Sequence, residues 1–177
     1  MPGERIELKP VSRITAGAVG PPGKRVFFLQ ARKEFETVTL LVEKQQIESL
    51  AVGVEQFLGE LEKRFPDLPK ASNDYSEYDM QLEEPPDPLF RAGQLGIGYD
   101  EDNDLLVLVV QELPAEETET PPGDASTARF WATRSQMLAL GRYGSEICQR
   151  GRPTCGNCGQ PMDPEGHFCP RRNGHKH

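Results

Sequence analysis

Histidine is nearly absent from this sequence, and the three that occur, His167, His175 and His177, all lie near the C-terminus. No Ser/His/Asp set can therefore be assembled over most of the chain. Long apolar runs are missing too. The longest is Leu105–Val110, far short of the ~20 residues of a membrane-spanning helix. No glycine period or heptad persists, which excludes collagen and coiled coil. The N-terminus has no apolar core of a signal peptide and no lipidation pattern, so the expected compartment is the cytoplasm, where thiols stay reduced. A nucleotide loop is lacking as well. The stretch Gly20-Pro-Pro-Gly23-Lys24-Arg25 would need glycine at Ala18 and Ser or Thr at Arg25, and the residues after it read as a strand rather than a helix. The chain itself has 177 residues, with 36% hydrophobic and 27% charged residues and a mean hydropathy of -0.58. That is polar for a globular protein but not polar enough for disorder throughout.

The net charge of -8 conceals an asymmetry. Residues 1–33 carry 7 basic and 2 acidic groups, residues 34–126 carry 5 and 23, and residues 127–177 carry 8 and 3. Beyond a solvated surface, two basic ends around an acidic middle imply intramolecular complementarity before nucleic-acid binding, because the middle repels phosphates.

Residues 5–8 alternate weakly and suggest an edge strand; Gly17, Gly20, Gly23, Pro21 and Pro22 read as a turn-rich loop. Residues 25–31 and 37–42 are β-branched and aromatic, an antiparallel hairpin. Over 43–65 the apolar residues Ile47, Leu50, Ala51, Val54, Phe57, Leu58 and Leu61 recur at helical spacing. Gly53 and Gly59 interrupt that helix and are candidates for a close approach by another element. Residues 66–88 hold five prolines and seven acidic residues, so they read as a poorly packed acidic loop, with Tyr75, Tyr78, Met80 and Leu82 available to dock. Strands come next at 89–100 and 105–113, joined by a charged turn whose carboxylates lack the spacing of a calcium loop. Residues 114–126 are a second acidic loop, 127–133 a strand, and 135–149 a helix capped by Ser135. The expected fold is α+β: one mainly antiparallel sheet with two packed helices over residues 1–150, and a C-terminal zinc knuckle over 151–177. Val26, Phe28, Leu40, Phe57, Leu106, Phe130 and Leu138 are among the residues expected in the core.

The most specific signal is Cys155-Gly-Asn-Cys158-Gly159, followed by His167-Phe-Cys169. A C-x₂-C turn presents two thiolates to one ion, and Gly159 suits its positive φ. The eight residues between Cys158 and His167 leave room for a hairpin to return, and ligands two apart on an extended strand share a face. Cys155, Cys158, His167 and Cys169 thus make a Cys₃His set suited to Zn²⁺. Cys148 ranks second to His167 as fourth ligand and His175 third. A disulfide conflicts with the compartment. A redox pair would have to open a helix, and a catalytic zinc would need an open position, with Glu165 the adjacent acid.

The string Gly151-Arg-Pro, Cys155-x-x-Cys158-Gly, Asp163-Pro-Glu-Gly-His167-x-Cys169-Pro-Arg-x-Asn173-Gly resembles the ending of an uncharacterised bacterial family common in actinobacteria. The resemblance extends to Gly20-x-Pro-Gly, Arg25-x-Phe-x-Leu-Gln30-Ala and Glu43-Lys-Gln-Gln46. This chain departs from the pattern in having Gly156 for proline and His175 for an aromatic. The family lacks cysteine at position 148, which implies His167 as ligand. Its gene neighbourhood, with histidine-phosphatase-like and kinase-like genes, implies a shared pathway but no reaction.

Three functions compete. A binding or adaptor module with a structural zinc, recognising a protein partner, needs the fewest steps. Nucleic-acid binding would use Arg150, Arg152, Arg171, Arg172 and Lys176 around the zinc. An enzyme acting on a phosphorylated small molecule would use Arg25, Gln30, Lys44 and Gln46.

Overall fold

A computed structural model describes residues 4–21, 23–113 and 125–150. Its order is β1 (Arg5–Leu8), β2 (Arg13–Val19), β3 (Val26–Lys33), β4 (Glu36–Val42), α1 (Lys44–Arg64), β5 (Ala92–Asp100), β6 (Leu105–Glu112), β7 (Thr127–Ala132) and α2 (Arg134–Gln149). The fold is α+β with mostly antiparallel pairing, as expected, but the strands form two sheets rather than one. Four strands run in the order β1-β7-β6-β5 and three in the order β2-β3-β4. Only β1 and β7 pair in parallel within these sheets.

The chain passes between the sheets at residues 9–12. The Val11 amide donates to the Trp131 carbonyl on one sheet and the Ser12 amide to the Arg32 carbonyl on the other, both at 2.8 Å. A strand that bends from one sheet into the next builds such a corner. β2 is the main correction at the level of elements. The segment around Gly17 read as a loop because its residues are small, yet Ile14, Thr15, Ala16 and Gly17 are all buried. Small side chains here make room for covering segments rather than mark a turn.

The main core lies between the sheets and helices. β3 and β4 contribute Leu29, Ala31, Val38 and Leu40; β6 and β7 contribute Leu106, Leu108, Val110 and Phe130; the helices add Ile47, Val54, Met137 and Leu140. Each fully buried aliphatic side chain contributes about 1.5–3 kcal/mol. Three expected core residues sit differently. Val26 is 45% exposed at the open end of β3, and Phe57 and Leu138 are half-buried.

The helices cross closely, but not at the glycines of α1. A Cβ at Gly59 would meet nothing within 4 Å and one at Gly53 only Ile97 at 3.7 Å. The contact is made by α2. A Cβ at Gly141 would lie 3.3 Å from the Ala51 Cα, and one at Gly144 2.8 Å from the Ile47 Cγ2. α2 is capped by Thr133 rather than Ser135, because Thr133 and Gln136 form a reciprocal capping box.

Residues 66–88 are mostly exposed, as their composition suggests, but one stretch of them docks. The outer face of the three-stranded sheet carries a polar row, Thr15, Gln30 and Thr39, paired in register and buried. The row holds residues 80–83 as a strap. Thr15 Oγ1 donates to the Met80 carbonyl at 2.6 Å. Gln30 donates to the Glu83 carbonyl at 3.2 Å and accepts from its amide at 2.8 Å. Met80 is buried, and Leu82 sits where a Gly17 side chain would be. Of the four candidates for docking, Tyr78 stays out, at 80% exposure. The second acidic loop falls largely outside the described residues, which omit 114–124.

Candidate functional site

The expected zinc ligands Cys155, Cys158, His167 and Cys169 lie outside the described residues, as do His175, Glu165, Arg152, Arg171, Arg172 and Lys176. Among the described residues no group of three or more His, Cys, Asp or Glu is placed to hold a metal ion. The root of that region, the end of α2, is described, and it is firmly built.

A helix ends with carbonyls that lack intrahelical partners. Here a cation from β3's entry supplies donors. Arg25 Nη1 donates to the Ile147 carbonyl at 3.1 Å and also to the Arg150 carbonyl. A guanidinium at a helix C-terminus also complements the negative end of the helix dipole. Arg150 is held in turn. Its Nη2 pairs with Glu77 and lies 3.7 Å from Glu146, and its guanidinium stands 5.6 Å from the Tyr143 ring. The hydrogen bond to Glu77 raises the Arg150 pKa. Tyr75 meets Tyr143 edge-to-face at 5.2 Å and donates its hydroxyl to Glu146. Burial, and then the Glu146 carboxylate, push the Tyr75 phenol up to about 12. A cavity of about 500 Å³ adjoins this cluster, with Gly17, Arg25, Leu82, Tyr143 and Arg150 in its walls. A tail leaving Arg150 thus starts from a point fixed to β3, α2 and the 75–83 segment together.

Cys148, the second-ranked ligand, is 3% exposed within the main core cluster, with its Sγ 3.7 Å from the Lys44 carbonyl.

The polar set Arg25, Gln30, Lys44 and Gln46 is not one site. Arg25 binds the end of α2. Gln30 binds Thr39 and the strap. Gln46 closes the capping box of α1 with Glu43 and donates to the Ala92 and Gly93 carbonyls at 3.1 and 2.8 Å. Lys44 contributes the carbonyl near Cys148. Arg25, Gln30 and Gln46 each have a separate structural task, which sequence spacing alone did not reveal.

The charged turn after β5 is likewise structural. Asp100 pairs with Lys9 at 3.1 Å and accepts from Asn103. Asp104 takes a two-point bond from Arg134, at 2.9 and 3.1 Å, and the Tyr99 hydroxyl at 2.8 Å. These bonds hold both carboxyls below the ordinary range, the Asn103 bond first for Asp100 and the Arg134 bond first for Asp104.

Residues that sequence reasoning missed are Glu77, Glu83 and Glu146. Glu77 and Glu83 looked like members of a solvated acidic run and Glu146 is an isolated acid in α2; only the partners that folding brings to them give them a role. Among the described residues, no helix is long and apolar enough to cross a membrane.

No curated protein and no solved structure matches the chain. The family described as Protein of unknown function (DUF3090) matches residues 6–169. That span begins in β1, takes in both sheets and both helices, and ends on the last expected cysteine ligand; the chain belongs to this family.

Proposed function

We propose that this protein is a zinc-dependent adaptor: an α+β domain that carries a C-terminal zinc knuckle for a protein partner. The observation that carries the reading is the ligand spacing, Cys155-x₂-Cys158-x₈-His167-x-Cys169. Three thiolates and an imidazole fit a closed tetrahedral Zn²⁺ site. The ion would be structural: held by these four side chains, it orders the segment between them. The tail has only Met162 and Phe168 as large apolar residues after Arg150, too few to fold it by burial. Structural zinc supplies ~10–16 kcal/mol in small peptides. The burial of Cys148 supports His167 as fourth ligand, and the engagement of Arg150 with Glu77 weighs against its contacting a nucleic acid.

Protein purified without chelators is expected to carry close to one equivalent of zinc by elemental analysis. Cys158→Ser should abolish it, His167→Ala should lower it, and Cys148→Ser should leave it unchanged. A partner retained by the native protein in a pull-down should be lost with Cys158→Ser. Zinc retained in His167→Ala but lost in Cys148→Ser would replace Cys₃His by Cys₄. Reduced, metal-free protein would remove the zinc reading. A salt-dependent gel shift with random DNA or RNA would favour nucleic acid over a protein partner.

A further inference from the structure

Tyr143 is only 6% exposed, yet among the described residues its hydroxyl has no hydrogen-bond partner. A buried polar group without a partner calls for an explanation. The oxygen is not sealed in, because the one fully enclosed polar side-chain atom without a partner among the described residues is Arg13 Nη2. Its open side is the cavity of about 500 Å³ between β2, the strap and the end of α2, in whose wall Tyr143 stands.

Arg25 stands in the same wall. Its Nη1 is taken by the Ile147 and Arg150 carbonyls. Its other nitrogens donate to none of the described residues, and no carboxylate among them pairs with it. A helix end carries only about half a negative charge, so Arg25 keeps a net positive charge beside the cavity. Arg150 shares the wall, but Glu77 and Glu146 balance its charge. Leu82 and the buried Ile147 make the wall apolar, and Glu84 lies exposed at the rim.

We propose that this cavity binds a small organic oxyanion, a phosphate monoester or a carboxylate, whose one charged group meets Arg25 and the Tyr143 hydroxyl while an apolar body rests on Leu82 and Ile147. Size and charge select this occupant. The volume falls in the range of small-molecule sites, about 300–1,000 Å³. A guanidinium fork and a phenol O–H are both donors, and they match phosphate or carboxylate oxygens. Glu84 repels a second charged group, which disfavours a polyanion such as nucleic acid. Every wall residue lies before position 151, so the site stands apart from the zinc reading.

The test is saturation-transfer NMR on the full-length protein with phenyl phosphate and benzoate as probes and benzyl alcohol as the neutral control, followed by titration of the amide signals. At least one anion should bind and shift the amides of Leu82 and Ile147, and the alcohol should not; whichever anion binds tighter names the head group. Tyr143→Phe should weaken binding about tenfold, as loss of a hydrogen bond to a charged group does. Its Tm should not fall, because the hydroxyl holds no described residue. Arg25→Gln should abolish binding; if it also loosens the end of α2, Tyr143→Phe decides alone. Glu84→Gln should tighten the anion, and Cys158→Ser should keep the affinity. The inference is overturned if neither anion binds, if benzyl alcohol binds as well as they do, or if Tyr143→Phe keeps the affinity. Loss of binding in Cys158→Ser would overturn it too, by placing the anion on the tail.

Discussion

A methyl group added at Gly144 would lie 2.8 Å from the Cγ2 of Ile47, a core residue only 4% exposed. A β-branched side chain has little χ1 freedom to yield, so the helices would have to part. Gly59 offers the opposite case, a glycine in a helix interior with open space around it. Gly144→Ala is therefore expected to destabilise by about 1–3 kcal/mol despite its better helix propensity. Gly59→Ala should stabilise by up to ~1 kcal/mol. Urea unfolding midpoints measure both. Equal shifts of the same sign would mean that α2 does not approach α1 at Gly144. From the sequence these glycines are indistinguishable, since each interrupts a helical pattern. Only the element opposite decides which is required.

Elements with a strong period are legible in the amino-acid order alone. The stripe from Ile47 to Leu61 and the run Leu105–Val110 became α1 and β6, each fixed by one buried face. β2 and the 80–83 strap were not legible, because each depends on the other. Gly17 is needed where Leu82 lies, and Gln30 is buried because a backbone segment crosses it. Gln30→Leu tests that dependence. It leaves the Glu83 amide without its acceptor, a loss of about 1–3 kcal/mol for a buried group. Amides at 80–84 should then exchange faster while those of β6 keep their protection. If strap and β6 amides accelerate together, the strap is part of the global unfolding unit and the row does not hold it separately. The expected zinc ligands form a distinctive spacing in the sequence, but they fall outside the described residues, so the zinc reading rests on donor chemistry alone.

Across the whole molecule, the charge asymmetry resolves into pairs. Lys9 meets Asp100, Arg13 and Arg32 meet Glu83, Arg134 meets Asp104, Arg142 meets Asp74, and Arg150 meets Glu77. In each, a basic group from one end of the chain binds an acidic group from its middle, the intramolecular complementarity that the composition implied. Most of these pairs are exposed and individually weak. Arg134 with Asp104 is the exception, a two-point bond whose arginine side chain is only 12% exposed.

Stability should follow their titration at both ends of the pH scale. Glu83 is held down first by the Thr37 hydroxyl, Asp100 by Asn103 and Asp104 by Arg134. A lowered carboxyl contributes stability above its unfolded pKa and loses it as pH falls through the folded one. The acid limb should therefore drop below the ordinary carboxylate range. Tyr75 and Tyr99 behave in the opposite sense. Burial first, then Glu146 and Asp104, raise both phenols from 10.0 to about 12. Between those values the unfolded chain has lost protons that the native one keeps, so stability falls as pH rises from 10 toward 12. Urea midpoints against pH should show a plateau between the two limbs, and phenolate absorbance should report two late-titrating tyrosines. Tyr99→Phe should remove one late phenol and make the alkaline limb shallower. If all the phenols of the native protein ionise together near 10, then neither Glu146 nor Asp104 accepts a tyrosine proton in solution, and the hydroxyl bonds that tie Tyr75 to α2 and Tyr99 to the β5–β6 turn are not formed there.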